Sequence, residues 1–184
     1  MPAEIVPASC TCCSGLLHGG LDRRAFFTLA AAAGAAAVFA PGVFAAGGKY
    51  EAMLLSCIDP RFPQLTLDYM KGRDLLGKYS QFAFAGAAIG AVAPAFKDWH
   101  NTFWENLAAS IQLHSIGKVI AIDHRDCGAA RIAYGPASIA DPAAETETHR
   151  KAFAKFRRAV AKRHPDLAVE TGLMSLDGKV EMLS

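Results

Sequence analysis

The sequence lacks most of the features that would commit it to a large functional class. It has no charge imbalance: 19 lysines and arginines stand against 17 aspartates and glutamates, for a net charge of +2. That leaves no electrostatic footprint for a nucleic-acid backbone or an acidic partner. There is no glycine-rich G-x-G-x-x-G loop and no D-F-G, and these absences dispose of the "HRD" at 124–126. A kinase catalytic loop also needs an asparagine five residues after its aspartate, where this chain has Arg131. Its most apolar run, Ala25 to Ala40, falls short of the ~20 residues a membrane span requires. Cysteine is scarce and unevenly placed. Of five, three crowd together as Cys10, Cys12 and Cys13, leaving only Cys57 and Cys127 in the rest of the chain.

What is present first is a leader. "LDRRAFFTLAAAAGAAAVFAPGVFAAG" pairs Arg23 and Arg24 with an alanine-rich apolar run, followed by small residues with Val43 and Ala45 at the cleavage positions. This is the layout of a twin-arginine export signal. Residues 1–45 are therefore expected to be removed, with the membrane met only transiently during export and the mature protein periplasmic. The leader cysteines would leave with that segment. Residues 46–184 keep 17 basic and 15 acidic residues and suit one ordinary domain.

In that part, "EAMLLSCI" (51–58) reads as a buried strand broken by "DPRFP", and "QLTLDYMKGRDLL" as a helix closed by Gly77. "SQFAFAGAAIGA" gives a strand running into a glycine-rich turn. Phe96, Trp99, Phe103, Leu107 and Ile111 then form one apolar stripe of a long helix. "KVIAID" (118–123) is another buried strand, and 141–164 a basic amphipathic helix with Phe153, Phe156 and Val160 on its apolar side. The chain closes as strand, turn at Asp177-Gly178, and short strand. Strands alternating with helices predict an α/β fold, a mainly parallel sheet of four or five strands flanked by helices. Ligands of such sheets sit at the carboxyl ends of the strands. Cys57 falls at one such end, and His124 and Cys127 just beyond another.

Two cysteines in an oxidising compartment are compatible with one structural disulfide. They are equally compatible with two thiolates on a metal. Zinc takes thiolate sulfur and imidazole nitrogen, and a catalytic site keeps one position open. Cys57, His124 and Cys127 supply three such ligands. Asp59 and Arg61 follow the first at spacings of two and four, which lets a guanidinium grip a carboxylate near the metal and keep it ionised.

The pair "C-I-D-P-R" and "H-R-D-C-G" resembles the C-x-D-x-R and H-x-x-C-G signatures of β-class carbonic anhydrases, over about Glu51 to Ala130. The resemblance implies Zn2+ on Cys57, His124 and Cys127, and an Asp59–Arg61 dyad that orients the zinc-bound water. It implies that Asp59 can swing onto the metal when Arg61 releases it, and that Gly128 lets backbone approach the site. The implied reaction is hydration of carbon dioxide to bicarbonate by a zinc-bound hydroxide, in a homodimer or higher homo-oligomer. His100 and His114 on the long helix are candidate proton shuttles, although surface or core placement is the simpler expectation for each. The chain departs from the family at "FAFAGAAIG" (82–90), where an "R-x-A-G-N"-like segment is usual, and in having no counterpart of the substrate-binding glutamine before the first cysteine. A more apolar pocket admits a second substrate class, since relatives with the same triad hydrolyse carbon disulfide or carbonyl sulfide. A non-catalytic zinc-binding protein on the same fold is a further reading, which would not require the dyad.

Overall fold

The computed structural model describes residues 49–184. The twin-arginine pair, Cys10, Cys12, Cys13 and the cleavage positions Val43 and Ala45 lie outside the described residues. Residues 46–184 make one compact unit.

Five strands form one sheet: β1 (Ala52–Ser56), β2 (Tyr79–Ala83), β3 (Lys118–His124), β4 (Ala168–Met174) and β5 (Val180–Met182). Their order across the sheet is β2-β1-β3-β4-β5. The first four run parallel, and β5 returns antiparallel to β4 through the Asp177-Gly178 turn. The helices are α1 (Pro63–Gly72), α2 (Ala88–Val92), α3 (Lys97–His114), α4 (Gly128–Tyr134) and α5 (Pro142–Arg163). This is the α/β architecture expected from the alternation of elements.

The two central strands β1 and β3 are apolar on both faces because both faces are covered. Met53, Leu55, Val119 and Ala121 point into a layer with Phe103 and Leu107 of α3 and Phe153, Phe156 and Val160 of α5. Their even-numbered neighbours Ala52, Leu54, Ile120 and Ile122 pack with Phe62 and Met70 on the α1 side. Strand alternation carries through to the end of β3, where Asp123 continues the α5 side and His124 the α1 side.

Three elements differ from the sequence expectation. Helix α1 stops at Gly72 and does not run on to Gly77, because Asp74 takes φ +57° and the Leu75 N–H folds back to the Met70 carbonyl. The glycine-rich turn after β2 contains a short helix, α2. Phe96 precedes α3, in a 3-10 turn of Pro94–Phe96. Helix α5 begins as its sequence suggests: the Asp141 carboxylate accepts the Ala143 and Ala144 N–H groups at 2.9 and 2.8 Å. No helix among the described residues is long and apolar enough to cross a membrane.

Candidate metal centre

β1 and β3 pair in parallel register, Ser56 beside Ile122, so their carboxyl ends deliver two loops to one place. Cys57 leaves β1 there. His124 ends β3, and Cys127 precedes α4 after a tight turn in which Asp126 takes φ +56°. The ligand atoms of Cys57, His124 and Cys127 all lie within 4.8 Å of one another. His124 and Cys127 are buried, Cys57 is partly buried, and both cysteines are free thiols.

The donor set fits a thiolate-and-imidazole metal ion. His124 Nδ1 lies 2.8 Å from the Arg125 carbonyl, and a ring nitrogen facing a carbonyl is the one that carries the proton. The other nitrogen, Nε2, then presents a bare lone pair, and it is buried with no hydrogen-bond partner. An orphaned buried acceptor beside two thiols is the arrangement a metal satisfies. Phe62 stacks on the imidazole at a 4.0 Å centroid distance and fixes the ring plane.

The electrostatics favour anionic sulfur. Cys57 is held well below the usual thiol range, first by the hydrogen bond from Cys127, then by His124 and the Gly86 N–H, against the opposing effect of burial. That bond to Cys57, with burial, pushes Cys127 up, so the metal-free pair gives up its first proton readily and retains the second. Burial is the largest single influence on His124 and disfavours its charge, but Cys57, the Arg125 carbonyl and Asp59 together outweigh it and raise the imidazole. The Gly86 N–H reaches Cys57 Sγ at 3.2 Å.

Asp59 lies beside this group, its Oδ2 3.9 Å from His124 Nε2. Arg61 grips it with two side-chain bonds of 3.0 and 2.7 Å and one backbone bond of 3.0 Å. The Arg61 hydrogen bond lowers the Asp59 carboxyl to about 2, so the carboxylate is ionised throughout the physiological range. The other side of Arg61 holds Asp126, at 2.8 Å to the carboxylate and 3.0 Å to the carbonyl. One guanidinium therefore ties together the two loops that carry the ligands. From α5, Glu145 accepts the Asp126 N–H and the Arg125 guanidinium, and Thr146 adds a 2.9 Å bond to Arg125.

No family model matches the sequence. An uncharacterized protein of Rickettsia bellii is 30% identical over 131 residues, covering 71% of this chain and 80% of its own length. One of Rickettsia conorii is 30% identical over 131 residues, covering 71% and 70%. Among solved structures, the β-carbonic anhydrase CafA of Aspergillus fumigatus superposes with a TM-score of 0.50 at 14% identity, covering 88% of each chain. The Coccomyxa β-carbonic anhydrase in complex with acetazolamide gives 0.50 at 15% identity, covering 90% of this chain and 86% of that one. The chain belongs to one family with these two Rickettsia proteins, and its fold is that of the β-carbonic anhydrases.

Against the family expectation, the structure brings five of the six proposed site residues into one cluster: Cys57, Asp59, Arg61, His124 and Cys127. Gly128 opens α4 directly after Cys127. A Cβ there would meet no other protein atom within 4 Å, so packing within the chain does not require glycine at this position. Steric demand for glycine is present beside the Cys57 sulfur at Gly86, where φ is +79° and a Cβ would meet that of Ala129 at 2.9 Å, and at Gly90, where a Cβ would run into the Ala85 carbonyl. Each candidate shuttle has a partner outside the cluster. His100 Nε2 is bonded to the Ala93 carbonyl at 3.1 Å. His114 packs edge-on to Tyr50 at the amino-terminal edge of the sheet. Sequence reasoning missed Asp126, whose charge stands openly inside "HRDC", and Phe62, which follows the dyad directly. His149 is fully buried and paired with Asp123 at 2.8 Å, a pairing across 26 residues that no local pattern marks.

Proposed function

We propose that the chain is a zinc enzyme that hydrates carbon dioxide to bicarbonate. One observation carries this reading: three convergent ligand atoms with an Arg-gripped carboxylate 3.9 Å from the bare His124 nitrogen. Cys57, His124 and Cys127 would hold the ion. When bound, zinc supplies Lewis acidity that lowers the pKa of a water toward neutrality. The chain's residues do the rest. The Arg125 carbonyl and the Phe62 ring fix the His124 tautomer and ring plane. Asp59, kept ionised by Arg61, accepts a proton-bearing group presented at the centre and so orients it. The Gly86 N–H draws charge from the Cys57 sulfur.

The substrate reading has a competitor with its own support. An apolar cavity of about 310 Å³ is lined by Ile58, the residue after Cys57, with Phe82, Phe84, Ala85, Trp99 and Thr102. Such a wall suits carbon disulfide or carbonyl sulfide as well as carbon dioxide, and the same ligands serve all three. A non-catalytic zinc protein is the remaining alternative, and the Asp59–Arg61 grip speaks against it. We further propose export through the twin-arginine route and assembly as a homo-oligomer.

The deciding experiment measures zinc per chain in protein purified without added metal, beside Cys57→Ser, followed by turnover of carbon dioxide and carbon disulfide on one sample. About one zinc per chain, lost in the variant, with carbon dioxide hydration rising on the alkaline side of neutral, supports the proposal. Absence of zinc with Cys57 and Cys127 joined to each other defeats it. Preferential carbon disulfide turnover transfers the site to the second reading.

A further inference from the structure

Directly behind His124, on the opposite face of β3, lies a buried polar couple for which the proposed chemistry has no use. Asp123 is 1% exposed and His149 is fully buried. Asp123 Oδ2 is 2.8 Å from His149 Nδ1, and Oδ1 accepts the Ala88 N–H at 2.8 Å. Burial raises the Asp123 carboxyl, and the His149 bond only partly offsets that. A carboxylate in an apolar layer is costly unless its lone pairs are used, so this couple calls for an account of what it holds.

It holds the turn between β2 and α2. Ala87 there has φ +44° and ψ −112°, outside every region that an L-residue occupies comfortably. Such a conformation costs on the order of 1–3 kcal/mol and persists only when its surroundings over-determine it. Ala87 is completely buried. On one side of it the Gly86 N–H goes to Cys57 Sγ at 3.2 Å, and on the other the Ala88 N–H goes to Asp123 at 2.8 Å. The Ala87 N–H returns to the Phe84 carbonyl at 3.2 Å, and the Ile89 N–H to the Gly86 carbonyl at 2.8 Å. The strained residue therefore separates two amides, one aimed at a ligand sulfur and one at the buried carboxylate.

We infer that Asp123 and His149 are positioning residues: together they clamp the strained Phe84–Ala88 turn so that the Gly86 N–H stays aimed at Cys57 Sγ. This rests on the reading of Cys57 as a metal ligand. His149 acts through Asp123, Asp123 acts through the Ala88 amide, and the turn transmits the constraint to Gly86. Outer partners of this kind commonly set metal affinity 10- to 100-fold.

The test uses the full chain with cobalt(II) as the probe ion, together with amide hydrogen exchange of the metal-free chain. An N–H bond withdraws electron density from a thiolate and raises the energy of its charge transfer to cobalt. His149→Ala should therefore move that band to longer wavelength and weaken cobalt binding about 10- to 100-fold. It should also speed exchange of the Gly86 and Ala88 amides while those of Met53 and Leu55 in β1 stay protected. His149→Gln, which keeps an N–H donor for Asp123, should remain close to the parent. Adding Ala87→Gly to His149→Ala removes the strain that drives the turn to relax, and should return both the band and the exchange toward the parent. An unchanged band and unchanged turn exchange in a merely less stable His149→Ala protein would overturn the inference, as would failure of Ala87→Gly to rescue. If His149→Ala does not fold, Asp123→Asn weakens the Ala88 bond and should speed the same two amides; unchanged exchange there defeats the clamp. Absence of cobalt binding by the parent defeats the metal reading instead, while the exchange measurement still decides the clamp.

Discussion

Two carboxylates flank the same histidine, His124, and their surroundings give them opposite characters. Asp59 is near the surface, gripped by a half-exposed arginine, and its pKa is lowered to about 2. Asp123 is sealed in the core against a histidine, and burial drives its pKa up. The first pairing is reversible, since a surface ion pair contributes little stability and exchanges readily with water. The second is fixed, since removing either partner strands a polar group in apolar surroundings. A carboxylate that must act on a substrate belongs in the first setting, and one that must hold backbone in place belongs in the second.

Substitution can break that contrast. The largest effect expected is on turnover: Asp59→Asn should lower the proposed hydration about 10²- to 10⁴-fold and leave the urea unfolding midpoint close to the parent. His149→Ala should do the reverse first, costing about 3–5 kcal/mol of stability by urea denaturation because it leaves Asp123 buried and unpaired. Gly86→Ala, at φ +79° against Ala129, should cost about 1–3 kcal/mol in the same measurement. Arg61→Gln should raise the Asp59 pKa from about 2 toward the ordinary carboxylate value, read by carbon-13 titration. The sign follows from linkage. A depressed folded pKa stabilises the fold above the unfolded carboxylate pKa of ~3.9, and that contribution is lost as pH falls through about 2. The variant should show less of this acid loss. Asp126→Asn should be smallest, moving the Asp59 titration less than Arg61→Gln does.

The sequence made much of this legible because the determinants are local. Apolar runs such as "EAMLLSCI" and "KVIAID" are strands wherever both faces are covered, and a strand's carboxyl end is where "CIDPR" and "HRDCG" each have to begin. Cys57, Asp59, Arg61, His124 and Cys127 could be read at that level. The rest depended on distant partners. The His149–Asp123 couple joins α5 to β3, and nothing in the heptad around His149 distinguishes a buried acceptor from a solvated one. The left-handed Asp74 ended α1 five residues before the glycine that composition favoured. The crowding at Gly86 and Gly90 lay in a segment that departs from the family pattern, where no motif pointed to it.

The grip of Glu145 on the Arg125–Cys127 turn has a consequence for the order of assembly. Two of the three ligands flank that turn, and the acid that ties it down arrives only when α5 is docked, about twenty residues further along the chain. Cys57 joins them only after β1 and β3 have paired across more than sixty residues. A nascent chain thus has no preformed nest at these three residues, and capture of the proposed ion would belong to the closing stage of folding. Chelator added during refolding should slow only the final kinetic phase, leaving the earlier collapse of the sheet untouched.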